Sequence, residues 1–136
     1  MSQLLAHIAI VVDEYDRAID YYTRALGFEL IEDSPRENGK RWVLVAPAGR
    51  GGANLLLARA ANPEQASHIG NQTGGRVFLF LHTDDFARDY GAYLEHGVDF
   101  IESPRDEAYA TVVVFRDIYG NLWDLIQPKP VNVPIA

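Results

Sequence analysis

Apolar positions in this chain follow two rhythms: short runs of strand character, and one-sided stripes of helical period. LLAHIAIVV (residues 4–12) is apolar and β-branched except at His7, which predicts a buried strand. Asp13, Glu14 and Asp16 then place acid where a helix begins, as its dipole prefers. From about Tyr15 to Leu26, Ala18, Ile19, Tyr22, Ala25 and Leu26 share one stripe, with Asp20 and Arg24 outside it. Gly27 is placed to end that helix. FELIED (28–33), RWVLVA (41–46) and NLLLA (54–58) read as three further strands. A polar loop from Ser34 through Lys40, then Pro47 and the glycines at 49, 51 and 52, separate them.

Between residues 59 and 75 the pattern changes. Asn62, Pro63 and Glu64 supply a cap, a first-turn proline and an acid, so a short helix is predicted to His68 or Ile69. Residues 70–75, GNQTGG, form the expected flexible linker. The second half then repeats the first. VFLFLHT (77–83) reads as a strand, and Asp84, Asp85 and Phe86 open a helix with Phe86, Tyr90, Tyr93 and Leu94 inward. Gly97 stops it; VDFIES (98–103) and ATVVVFR (110–116) read as strands around a loop. At an offset of 71, Asp13 falls on Asp84, Tyr15 on Phe86, Arg17 on Arg88 and Tyr22 on Tyr93.

The closing stretch, DIYGNLWDLIQ (117–127), reads as a turn through Tyr119, Gly120 and Asn121 followed by a strand. Leu122, Asp124 and Ile126 take one face; Trp123, Leu125 and Gln127 take the other. Asp124 between two apolar residues has two readings. It is a strand-end carboxylate meeting water or a cation, or a ligand or acid/base group aimed into a cavity. The duplicated order predicts an α+β protein of two tandem βαβββ modules, forming one curved eight-stranded half-barrel sheet with a concave groove. Module 1 spans about 1–60, the linker 61–75, module 2 76–128 and a proline-rich tail 129–136, read as an arm onto a partner chain or a loose end.

Composition narrows the function classes. With 48% apolar residues in 136, a packed core is expected. The absence of Cys removes disulfides, thiolate metal sites and thiol nucleophiles. No basic stretch precedes the first apolar run and no run approaches a membrane span, so a cytoplasmic protein without a signal peptide or membrane partner is expected. A net charge of −7 argues against nucleic acid and favours cationic or neutral ligands.

HIAIVVDEYDRAIDYYTRALGFEL and DIYGNLWDLIQ resemble the first βα unit and the closing turn and strand of the vicinal oxygen chelate superfamily. That superfamily groups glyoxalase I, fosfomycin and bleomycin resistance proteins and extradiol dioxygenases. The resemblance implies a homodimer and a ligand site inside the half-open barrel. In metal-dependent members, four positions on the inner strand faces hold a divalent ion such as Ni, Zn, Mn or Fe. Carried over one by one, the first-strand position is His7 and the last-strand position is Asp124. The fourth-strand position is Leu56, or Leu57 if the glycine gap shifts, and the fifth-strand position is Phe78. Two of four ligands remain, fewer than the three a catalytic site needs. His82 lies roughly 13 Å along the strand from Phe78 and does not replace it. His96 is expected at a helix end, and His68 at the surface near the linker.

The pocket is therefore expected to hold His7, Leu56, Phe78 and Asp124, with Trp42, Tyr109 or Phe115 as aromatic walls. His7 and Asp124 are either a satisfied polar pair or a ligand anchor and acid/base pair. Three readings follow. The first is a metal-poor protein that binds a small organic molecule without a cofactor. The second is a lyase, isomerase or dioxygenase acting through His7 and Asp124, with or without a divalent metal. The third is an interaction module with no small ligand.

Overall fold

In a computed structural model of the chain, residues 1–49 and 51–130 are described. The proposed role of the tail as a partner-binding arm falls mainly on residues 131–136, outside the described residues. The chain divides into two compact units, Met1–Gln72 and a second beginning at Thr73.

In unit 1, β1 (His7–Val12) leads into α1 (Tyr15–Asp20), which continues as a π-helical turn over Tyr21–Ala25. Gly27 at φ 73° reverses the chain, and the amide of Phe28 donates to the Tyr22 carbonyl. β2 (Glu29–Pro35), β3 (Arg41–Ala46) and β4 (Asn54–Arg59) follow. The sheet order is β1-β4-β3-β2, with β1 parallel to β4 and the other pairs antiparallel. Ile10, Val12, Val43, Val45, Leu55 and Leu57 point to the helix and are buried with Ala18, Tyr22 and Leu26. The alternate residues point to the opposite face, which carries the site described below.

α2 (Pro63–Ser67) begins as the sequence predicts: Asn62 Oδ1 accepts from the Gln65 amide at 2.8 Å, and Gln65 Oε1 accepts from the Ala61 amide at 2.8 Å.

Unit 2 repeats the topology. β5 (Val77–His82), α3 (Phe86–Glu95), β6 (Asp99–Phe100), β7 (Arg105–Asp106), β8 (Ala110–Arg116) and β9 (Leu122–Pro128) form a sheet of order β5-β9-β8-β6, with β7 also on β8. Gly97 at φ 78° ends α3, and the Val98 amide donates to the Tyr93 carbonyl. The two capping glycines thus do the same work in both copies. Among the described residues no helix is long and apolar enough to cross a membrane.

Four expectations need correction. Leu4 and Leu5 precede the first strand and are about four-fifths exposed, because β4 begins opposite His7 and leaves them no strand to pair with. Leu94 is exposed, since the buried stripe of α3 runs through Phe86 and Tyr93. The predicted strand over residues 98–103 is only Asp99–Phe100; pairing on β8 resumes at β7, so among the described residues nine strands stand in two sheets of four and five. In the closing turn, Gly120 takes φ 99° but Asn121 does not adopt positive φ. Asn121 contributes its side chain instead, donating from Nδ2 to the buried Asp117 carboxylate at 3.0 Å.

Candidate functional site

The face of unit 1 turned away from α1 carries His7, Ala9 and Val11 from β1, Asn54, Leu56 and Ala58 from β4, and Trp42 and Leu44 from β3. His7 is exposed; its Nδ1 lies 3.4 Å from Asn54 Nδ2, and its ring meets the edge of the Trp42 indole at 5.8 Å. Register settles which leucine occupies the fourth-strand position. Ala9 pairs with Leu56, so Leu56 shares the face of His7, whereas Leu57 pairs with Ile10 and is buried under the helix. At one end of this sheet, around Trp42, Ala58 and Ala60, a cleft of about 560 Å³ opens between the β2–β3 loop and the end of β4.

In unit 2 the equivalent register holds. Phe80 pairs with Asp124 as Ala9 pairs with Leu56, so Asp124 and Leu56 are counterparts in the duplication, as are Phe78 and His7. Phe78 is half-buried beside a bulge, and Phe80 is largely exposed. Tyr109 precedes β8 and is exposed, its carbonyl accepting from the Lys129 amide. Phe115 faces α3, fully buried, stacked on Trp123 and edge-on to Tyr93 and Phe100. It is a core residue with no surface for a ligand, because β8 alternation turns residues 113 and 115 to the helix.

Asp124 is half-buried, and its Oδ1 is shut from solvent with no hydrogen-bond partner among the described residues. Desolvation raises its pKa above the ordinary carboxylate value; the Arg105 charge opposes the rise and Glu102 adds to it. Glu102 itself accepts from Arg105 Nε at 2.9 Å and from the Val114 amide at 3.3 Å. A raised folded-state pKa means the folded chain holds the proton more tightly than the unfolded one. Stability from this group is therefore full at acid pH and is lost as pH rises through the folded-state value. Asp124→Asn is expected to stabilise the protein at pH 7 by about 1 kcal/mol or less, given solvent screening of a half-exposed group. The gain should vanish below about pH 4, where both states are protonated. Thermal melts of both proteins across pH 3–8 check this; a destabilised variant at pH 7 would show that the charged form is favoured.

A divalent ion does not fit the donors present. His7 has Leu56 as its neighbour at the fourth-strand position, and Asp124 has Phe80 and Val114 as cross-strand partners. Among the described residues no group of three or more His, Cys, Asp or Glu is placed to hold a metal. His82, His68 and His96 are exposed, the last two at the C-caps of α2 and α3. Sequence reasoning did not pick out Tyr15, Arg36, Lys40 and Arg59 in the wall of the unit 1 cleft. They come from α1, the β2–β3 loop and β4, three separate parts of the chain, and no spacing announces them.

Comparison with known proteins adds relatives. The family model described as "Glyoxalase/Bleomycin resistance protein/Dioxygenase superfamily" matches residues 4–125. An uncharacterized protein of Shewanella frigidimarina (strain NCIMB 400) is 57% identical over 128 residues, covering 93% of this chain and 95% of the relative. The crystal structure of UcmS2 superposes with a TM-score of 0.79 at 29% identity, over 93% of this chain and 98% of that one. That of TnmS3, an antibiotic binding protein from Streptomyces sp. CB03234, gives 0.74 at 29% identity, over 95% and 98%.

Proposed function

The chain belongs to the glyoxalase/bleomycin resistance protein/dioxygenase superfamily, and from that premise we propose that it is a small-molecule-binding protein that works without a metal. The observation that carries this is the Trp42 indole beside His7, with Leu56 hydrocarbon where a metal-dependent relative would need a donor. Leucine has no lone pair to give an ion, but it gives a flat organic ligand apolar surface, and the indole gives it a stacking wall. His7 and Asn54 then serve as polar fixtures that orient the ligand. The likeness to TnmS3, described as antibiotic binding, supports the same reading.

The test is a calorimetric screen of aromatic natural products, with Trp42→Ala as control, beside dialysis against Ni, Zn, Mn and Fe(II). Micromolar binding weakened at least tenfold by Trp42→Ala is expected. One ion retained per chain at sub-micromolar concentration would overturn the reading.

A second reading has its own support in Asp124, whose burial favours the protonated form of a carboxyl turned to the open sheet face. It would serve as a proton donor in a lyase or isomerase. Turnover of a bound compound that disappears in Asp124→Asn supports this; unchanged turnover in that variant removes it.

The protein is further proposed to be a homodimer, supported by the large apolar side chains left exposed on strands, Leu30 and Ile31 in β2 and Phe80 in β5. Light scattering checks that state. A cytoplasmic location, with neither nucleic acid nor membrane as partner, is supported by the acidic charge and the lack of cysteine.

A further inference from the structure

Acids outnumber bases in this chain, nineteen to twelve, so a wall drawn at random from it would be acid-rich. The unit 1 cleft is the reverse. Arg36, Lys40, Arg41 and Arg59 line it, and no Asp or Glu does so among the described residues. We infer that this cleft binds a flat organic anion, its ring against Trp42 and its carboxylate or phosphate among Arg36, Lys40 and Arg59. The inference rests on the reading of unit 1 as a small-molecule binder and names the ligand class.

The four cations are not equivalent. Arg41 is already occupied: it makes a two-point contact with Asp33 at 3.1 and 2.7 Å and meets Asp16 at 2.9 Å. Its role is architectural. The Tyr15 ring is buried between the Arg41 guanidinium at 5.1 Å and that of Arg59 at 4.9 Å, and the Tyr15 hydroxyl accepts from the Arg41 amide. Arg59 is thereby held in place while its charge is weakly met. It donates to the Gly39 carbonyl at 3.2 Å, and the Glu14 carboxylate stands 3.9 Å away. Arg36 lies over the Trp42 indole at 5.6 Å, with Glu32 also 3.9 Å distant. Lys40 makes no ion pair among those found for the described residues, and it is exposed. Each of the last three can therefore turn toward an anion without breaking a close carboxylate contact.

The loop that carries two of them is fixed by backbone. Asn38 and Gly39 both take positive φ, 59° and 75°, and the Arg36 amide donates to the Lys40 carbonyl at 2.7 Å. That closes the β2–β3 hairpin with Arg36 and Lys40 on the cleft side, and the Gly39 carbonyl ties the tip to Arg59. Ala58, Ala60 and Ala61 line the same cleft with small side chains that leave room for a ligand. A volume of about 560 Å³ suits a two- or three-ring compound. The acidic net charge predicts the sign of the far field; the ligand meets the local one.

Calorimetry with 1-naphthoate, with the neutral 1-naphthalenemethanol and with inorganic phosphate tests this. The carboxylate is expected to bind at least tenfold more tightly than the alcohol, and its affinity to fall with added salt. Lys40→Glu, at an exposed position, should cut naphthoate binding about tenfold and leave the alcohol unchanged. Arg59→Gln should weaken naphthoate, and Arg59→Lys should restore most of the loss. Equal affinity for acid and alcohol, untouched by Lys40→Glu, would overturn the anion inference and leave the small-molecule reading standing. Phosphate binding as tightly as naphthoate would overturn the flat-ring half. If neither ring compound binds at millimolar concentration, the anion inference falls, and the wider screen decides the broader reading.

Discussion

Asp117→Ala is expected to lower stability by about 3 kcal/mol, because it strips a buried hub of its acceptors. The Asp117 carboxylate is 4% exposed and takes donors from three residues. Oδ1 accepts the amides of Tyr119 and Asn121, each at 3.0 Å. Oδ2 accepts Asn121 Nδ2 at 3.0 Å and the Trp123 indole N–H at 3.1 Å. Alanine would take the carboxylate acceptor away from the buried indole and amide donors, and each buried hydrogen bond lost in this way costs about 1–3 kcal/mol. Asp117→Asn keeps one acceptor oxygen and should fall between wild type and alanine. Urea unfolding followed by near-ultraviolet circular dichroism of Trp123 measures both; a loss under about 1 kcal/mol for the alanine variant would show that water replaces the carboxylate.

The second large effect is at Phe115. Its ring is fully buried among Trp123, Tyr93 and Phe100, at centroid distances of 5.8, 5.7 and 6.0 Å. Phe115→Ala should cost about 3–5 kcal/mol, the sum of lost burial and the cavity left behind. Phe115→Leu should cost less, since it keeps most of the volume. The same melts report this, and calorimetry at a temperature where the variant stays folded should show unchanged binding of 1-naphthoate. A loss of affinity with normal stability would return Phe115 to the ligand wall where the sequence pattern had put it.

That residue shows where reading the chain alone reaches its limit. ATVVVFR has apolar side chains on both faces, so alternation by itself does not say which face meets the helix. Leu56 and Leu57 pose the same problem: NLLLA is apolar at successive positions, and only the pairing of β1 with β4 assigns Leu56 to the open face. Where the pattern was two-sided in chemistry, it was read correctly. Asp124 between Trp123 and Leu125, and His7 within its apolar run, both turn to the face opposite the helix. Asp117 went unnoticed as a hub because its partners are backbone amides and an indole nitrogen, and none of those signals an acceptor in sequence.

Taken alone, the amino-acid order determined the duplicated strand–helix–strand succession, the helix ends at Gly27 and Gly97, and the faces of His7 and Asp124. These depend on φ preference and on side-chain period, which act within a few neighbouring residues. Tertiary structure decided which leucine stands beside His7, that Phe115 is core, and that cations from the β2–β3 loop, β3 and β4 converge on one cleft. Those outcomes rest on the alignment of distant strands, where a one-residue slip exchanges the two faces.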